Sequence, residues 1–407
     1  MHVVINYGTD KLTLRLPDSA ELSEYGQSAS AGAVDEAEFI QAVGIAEPDL
    51  FPIGTADLFV VNDAYRPTPT EQILKWLLSE GKLNVKAKFL IATGCHQRPD
   101  DRQLRKIFGE FIDKMSDRLF IHDAKDRNSM IEVGTDRTGE KVLINRHFYE
   151  SERVVVIGSI EPHYFAGFTG GRKSIFPGLC DYETTVRNHN MGISFDAAPV
   201  KLAGNPVHEH LQFLMTLVSE KKIFGIQIVC GYEGIANAIE CGQLDSAFYR
   251  AAKLSRRLFE MVVANKYDLI LAEVRPPLDS NLYQLQKSLE NCQSAVQDGG
   301  MVILFSPCHE GIGSDAFYKL ADRWNKDGNI RAHANDSFGV HKLHRVNKIG
   351  ERINVYLHSE LDEGIPDKVF FKSALEPQEM IDKLMKKDDE LNIAIVRDAG
   401  HTVLTIK

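Results

Sequence analysis

Arg153-Val-Val-Val-Ile-Gly158 is an unbroken run of β-branched apolar residues, and a strand of that composition must be covered on both faces. Ala56-Asp-Leu-Phe-Val-Val-Asn62 and Lys86 to Thr93 read the same way. Each of these two is followed by an amphipathic stretch, Thr70 to Glu80 with Thr70 as its N-cap, and Asp101 to Met115. Strand, loop and helix in alternation predict an α/β fold with largely parallel sheets.

A chain of 407 residues exceeds what one core usually holds, so two domains are expected. Before the first buried strand lie two short strands, Val3 to Asn6 and Leu12 to Leu16, and an acidic stretch, 18–47, with weak helical periodicity. Beyond residue 200 the pattern predicts helix 206–219, strand 223–230 and helix 245–262. Strand Tyr267 to Glu273 then runs into the stiff connector Arg275-Pro-Pro277, which marks a boundary between units 1–268 and 269–407. The second unit is expected to contain helices 281–297, 315–324 and 377–387 and strands 300–305, 353–357, 368–371 and 391–396. An active-site cleft is expected between the two α/β domains, with the last strand left to pack elsewhere.

Ligands of parallel sheets bind beyond the carboxyl ends of the strands. Three successive strand-end loops carry chemistry-bearing residues: Asp63-Ala-Tyr-Arg66-Pro-Thr-Pro69, Thr93-Gly-Cys-His96-Gln-Arg-Pro99, and the glycine-rich stretch from Glu161 to Gly178. In the third, Gly167, Gly170 and Gly171 permit positive φ and close ligand approach, leave N–H groups for an anion, and set Lys173 where the ligand would lie. Gly167 to Ser174 misses the P-loop pattern because Arg172 stands where glycine is needed. His163 lies ten residues before Lys173, and His189 sixteen after it. Singly, Arg66 fits a surface ion pair, His96 a satisfied loop histidine and Lys173 a solvated turn; their convergence on consecutive loops favours a site. In the second unit Gln284 and Lys287 share a helix face, suited either to a carboxylate or to plain solvation. His208 and His210 read as structural, and His341 and His344 as lying in a basic, exposed segment. Cys308 and His309 are adjacent, a poor arrangement for nucleophile and base.

The net charge of −10, with no Lys/Arg run interleaved with aromatics, argues against a nucleic-acid binder. No apolar run approaches membrane-spanning length, so no membrane association is expected. Six cysteines without a C-x-x-C pair and a strand-like N-terminus point to a reducing cytoplasm.

Taken in order, Asp63-x-x-Arg-Pro-x-Pro69, Gly94-x-His96, Glu161-Pro-His163, Gly170-Gly-x-Lys173, His189, Gln284-x-x-Lys287 and Glu310-Gly-x-Gly313 resemble the nickel-dependent lactate racemase family over nearly the whole chain. The resemblance implies a nickel pincer nucleotide, a nicotinate-derived mononucleotide, tethered covalently through Lys173, with His189 as nickel ligand and Asp63, Gly170 and Gly171 in contact with the cofactor. It further implies His96 and His163 as the proton-transfer pair, and Arg66, Gln284 and Lys287 as the groups that bind the substrate. The implied reaction passes hydride from C2 of a 2-hydroxy acid to the cofactor and back through a 2-keto acid. The first unit would hold the cofactor, the second would close over the substrate, and separate maturation proteins would supply the cofactor. Gln97 stands where lactate racemases usually carry arginine, and neither Trp76 nor Trp324 matches the tryptophan expected near the lactate pocket. The expected substrate is therefore a larger or more polar 2-hydroxy acid, such as malate or an aldonate. A conventional NAD- or nucleotide-phosphate-dependent enzyme is the first alternative, weakened by the lack of G-x-G-x-x-G after any strand. A non-catalytic homologue that binds cofactor or carboxylate is the second, and it would need neither His96 nor His163.

Overall fold

Each of the buried strand runs pairs with another of its kind, and the result is two six-stranded sheets. The computed structural model describes residues 1–26, 32–231, 234–327, 339–386 and 390–407. In space the first sheet runs Ala236–Gln243, Lys222–Cys230, Arg153–Ser159, Leu58–Asn62, Lys88–Ala92, Leu119–Ile121. All neighbours are parallel except Ala236–Gln243, which returns antiparallel along the edge. Chain order reverses between Leu58–Asn62 and Arg153–Ser159, so their carboxyl ends flank a topological switch point. Both faces are covered, as the apolar runs require. Phe59, Val61, Val155 and Ile157 pack with Ile73, Leu74 and Leu77 of helix Thr70–Ser79 on one side. Leu58, Val60, Val154 and Val156 pack with Leu211 and Leu214 of helix Pro206–Thr216 on the other.

The second sheet is parallel throughout, in the order Lys372–Ser373, Asn354–His358, Val296–Phe305, Tyr267–Glu273, Asn392–Val396, Glu21–Tyr25. Its last member corrects the domain division. Residues 1–25, assigned by sequence to the unit 1–268, belong with the second sheet. The strand Glu21–Tyr25 is five residues long, mostly polar and at an edge, so it carries no buried-strand pattern. The hairpin His2–Tyr7 and Asp10–Arg15 packs Val3, Ile5, Tyr7 and Leu14 against Leu269, Leu271, Ile393 and Ile395. Of the stretch expected to be weakly helical, residues 27–31 lie outside the described residues, and the helix itself is Glu36–Ala46, opened by an Asp35 capping box.

Other expectations also change. Pro69, not Thr70, holds the N-cap of Thr70–Ser79. The stretch 101–115 is divided at Gly109, where φ is +53°, into helices Asp101–Phe108 and Ile112–Met115. Residues 368–371, expected as a strand, end the short helix Ile365–Lys368 and turn into Lys372–Ser373. Helix 377–387 is observed as Pro377–Met385, with position 387 outside the described residues. The last strand, Val403–Ile406, pairs with Glu260–Val263 apart from both large sheets. Among the described residues no helix is long and apolar enough to cross a membrane.

Removing residues 1–26 should destabilise the second unit. Val3, Ile5, Tyr7, Leu14 and Leu16 are all buried in its core, and burial of a large apolar side chain contributes about 1.5–3 kcal/mol. Denaturant unfolding of the truncated chain should show that unit lost at much lower denaturant; a transition matching the full chain would refute the amended division.

Candidate active site

The switch point is laced together before any ligand enters. Asn62 Oδ1 accepts from the Ser159 amide at 3.1 Å and from Thr68 Oγ1 at 2.9 Å, joining the first and third loops. Gly94 N donates to Gly178 O at 3.0 Å, joining the second and third. On this frame Asp63 Oδ2 meets His96 Nδ1 at 2.5 Å. Asp63 is 7% exposed and His96 45%, so a buried carboxylate holds an accessible imidazole. Because the carboxylate can only accept, Nδ1 carries the proton and Nε2 carries the lone pair of a base. Asp63, assigned by resemblance to the cofactor, is thus placed to orient His96. Arg66 Nη1 lies 3.6 Å from Glu161 Oε2, a recessed pair rather than a surface one. Glu161 Oε1 is buried with no hydrogen-bond partner among the described residues, an acceptor that a ligand hydroxyl would satisfy.

The third loop folds as a small hairpin, Pro162–His163 against Gly167–Phe168, then a 3-10 turn Gly171–Ser174. Gly170 and Gly171 adopt φ +67° and +52°, and a Cβ would lie 2.3 Å from Ile160 Cδ1 or 2.6 Å from the Phe248 ring respectively. Their role is close packing. The Gly171 amide donates to Gln227 Oε1 at 2.6 Å and the Lys173 amide to Gly170 O at 3.0 Å, so those N–H groups are engaged within the protein and not left for an anion. Burial, reinforced by Arg66, Arg172 and Lys287, holds the Lys173 pKa well below the usual lysine range. It is therefore presented as a neutral, nucleophilic amine. Burial followed by Lys173, Arg66 and Lys287 likewise keeps His163 neutral. The Ala166 amide donates to His163 Nδ1 at 3.2 Å, which leaves its proton on Nε2. The two histidines therefore start in different forms, His96 with a lone pair at Nε2 and His163 with an N–H there.

Helix Tyr182–Asn190 is started by Asp181, which accepts from the Thr184 amide at 3.0 Å. One residue before its end, His189 Nδ1 donates to the Thr185 carbonyl at 2.9 Å, placing the lone pair on Nε2. Burial, then Lys173, depresses its pKa to about 3. A neutral imidazole with its second nitrogen tied to a carbonyl is the form that binds metals. Among the described residues no group of three or more His, Cys, Asp or Glu could hold a metal. A metal on His189 would take its other donors from a ligand, and that donor set, with the neutral Lys173 amine beside it, fits a lysine-tethered metal nucleotide.

The second unit contributes helix Leu282–Cys292, whose N-cap Asn281 accepts from the Gln284 amide at 3.0 Å. Carbonyls of Gly311 and Ile312 receive the Leu282 and Tyr283 amides, so the Glu310 to Gly313 motif builds the start of this helix. Burial and Arg66 push the Lys287 pKa down to about 7, opposed by Glu161 and Asp63. Lys287 thus shares the crevice with Arg66, His163 and Lys173, and Gln284, half-buried, precedes it by one turn. The expectation for residues 341–344 is overturned. They belong to helix Val340–Arg352, where His341 and Lys342 are buried, and the His341 ring lies 5.7 Å from that of His189. Of its basic residues Lys342 and Arg345 are buried, while Lys348 stays exposed. His208 and His210 are structural, bonded to Tyr249 Oη at 3.2 Å and Asn188 Nδ2 at 3.1 Å. A surface hollow of about 580 Å3 around His208, Gln212 and Tyr249 contains none of the candidate site residues.

Residues 7–199 match the family described as Lactate racemase N-terminal domain, and residues 264–337 that described as Lactate racemase C-terminal domain. The chain is 30% identical over 351 residues to a lactate racemase of Thermoanaerobacterium thermosaccharolyticum, covering 80% of this chain and 78% of the relative. It is 28% identical over 271 residues to a lactate racemase of Lactiplantibacillus plantarum, covering 65% and 63%. Its fold is similar to the lactate racemase apoprotein structure from T. thermosaccharolyticum, with TM-score 0.84 and 24% identity over 100% of both chains. A Thermotoga maritima protein matches with TM-score 0.69 and 18% identity, covering 94% of this chain and 100% of that one.

Lys287 is charged below about pH 7 and neutral above it. Carboxylate binding to the apoprotein should weaken as pH rises through 7, and Lys287→Met should flatten that dependence. Calorimetric titration with a 2-hydroxy acid at pH 6 and pH 8 checks this; equal affinities for the wild type would contradict it.

Proposed function

The chain belongs to the lactate racemase family, and we propose that it is a cytoplasmic racemase or epimerase of a 2-hydroxy acid that uses a nickel pincer nucleotide joined to Lys173. The observation that carries this reading is the meeting of the Asp63–His96 pair, neutral His163, neutral Lys173 and His189 with two carboxylate-binding cations in one crevice. When bound, the nucleotide supplies a reversible hydride acceptor for C2. Lys173 provides the amine that holds it, and His189 Nε2 the protein's donor to its metal.

The remaining chemistry belongs to the chain's own residues. Arg66 and Lys287 hold the substrate carboxylate, with Gln284 beside them. His96 Nε2 takes the hydroxyl proton while Asp63 stabilises the imidazolium that forms. His163 Nε2–H donates to the substrate oxygen, and it serves as base for the opposite pose in the tautomer with its proton on Nδ1, which displaces the Ala166 amide and frees the Nε2 lone pair. The same cations oppose escape of the 2-keto acid. Engagement of the Gly171 amide by Gln227 weighs against a P-loop nucleotide in this loop. Gln97 supports a substrate other than lactate, of the malate or aldonate kind. Maturation proteins are needed to make the cofactor.

His96→Ala and His163→Ala should each lower turnover by roughly 10²–10⁴-fold while the Lys173 adduct is kept. For a racemisation the overall equilibrium constant is unity, so kcat/KM must fall equally in both directions. Polarimetric assays of cofactor-loaded variants against a panel of 2-hydroxy acids check this. Wild-type rates in both variants, or no turnover of any 2-hydroxy acid by the loaded wild type, would overturn the assignment.

A further inference from the structure

We infer that Arg345 is a positioning residue for the active site, fixing from helix Val340–Arg352 the spacing between His189 on the first unit and Lys287 on the second. The inference rests on the reading above for the roles of those two residues. Its grounds are the partners that one guanidinium brings together. Arg345 Nε and Nη2 bond Glu290 Oε1 and Oε2 at 2.6 and 2.7 Å, a bidentate pair with both side chains buried. Glu290 lies three residues after Lys287 on helix Leu282–Cys292, so the two share a face. Nη1 of the same guanidinium donates to the carbonyls of Gly192, Ser194 and Ala197 at 3.1, 2.9 and 3.0 Å. Gly192 lies three residues after His189, in the turn Met191–Ile193 that continues its helix. The Phe195 ring, 4.6 Å from the guanidinium carbon, closes the contact.

The residues one turn earlier on the helix repeat the pattern. His341 Nε2 and Tyr164 Oη are 3.1 Å apart, and Tyr164 follows His163. Lys342 Nζ donates to the Tyr283 carbonyl at 2.6 Å, one turn before Lys287. One helix therefore touches the neighbours of His163, His189 and Lys287, and Arg345 joins the last two through a single guanidinium. Burial opposes its charge, and Glu290 more than offsets that. Buried ion pairs contribute little to stability relative to apolar residues of similar size. Geometry is what this one supplies: Lys could not reproduce the flat fork that reaches a carboxylate and three carbonyls together.

The paired variant E290M/R345M keeps the junction filled and leaves no buried charge unpaired, and R345K keeps the charge without the fork. Cofactor-loaded wild type and variants would be compared in unfolding midpoint, in hydrogen exchange of the segment 190–197, and in kcat and KM per loaded site. The paired variant is expected to unfold close to wild type, to exchange faster in that segment, and to lose about 100-fold in kcat/KM, chiefly in kcat; R345K should fall between. Unchanged exchange there, or kcat/KM within twofold of wild type, would overturn the inference. Should the paired variant not fold, R345K decides by the same two readouts. Should loaded wild type turn over no 2-hydroxy acid, the functional reading fails and hydrogen exchange alone decides the role of Arg345.

Discussion

The structure depends on gathering basic groups in a crevice where water cannot fully solvate them. Arg66, Lys173, Lys287 and His189 each raise the cost of charging another group here, and all four act on His163. Of the two nearby carboxylates Asp63 pairs with His96, and Glu161 pairs with Arg66 through Oε2 while its Oε1 has no partner among the described residues. Two consequences follow from the same field. It disfavours the charged form of Lys173, and it leaves Lys287, and Arg66 beyond its contact with Glu161, able to receive an anion.

Fold topology explains why these groups meet at all. In the first sheet the chain leaves the pair Leu58–Asn62 and Arg153–Ser159 in opposite directions, so their loops splay apart and open a crevice. Hydrogen bonds through Asn62 and Gly94 then fix how far the loops separate. In the second sheet the chain leaves Tyr267–Glu273 toward Val296–Phe305, with Asn392–Val396 on the other side. The helix that follows its central strand delivers Lys287 to the same crevice, and the Arg345–Glu290 pair ties that helix to the one bearing His189.

Much of this was legible because fully buried strands leave a strong pattern and their carboxyl ends say where to look. His96, His163 and Lys173 all lie just beyond such runs. The misses have physical reasons. Glu21–Tyr25 is a polar edge strand completed by a partner some 370 positions away, and nothing local in it specifies that pairing. The segment at His341 and His344 reads as exposed because basic residues ordinarily are; Lys342 is buried on the Tyr283 carbonyl and Arg345 on Glu290 and carbonyls of residues 192–197, contacts no local window contains. The glycines beside Lys173 were read as an anion cradle, whereas close packing on Ile160 and Phe248 accounts for them. Asp63 was legible as a site residue, but its partner His96 is set by the pairing of two strands.

Lys173 and His189 are proposed to receive a nickel-bearing nucleotide together. Peptide-mapped mass spectrometry with nickel analysis, on protein from a host that makes the cofactor, tests it most directly. One covalent adduct on Lys173 with nickel in equal amount is expected, with loss of the adduct in Lys173→Ala. Unmodified Lys173 without nickel, from cells that mature a control lactate racemase, would contradict it.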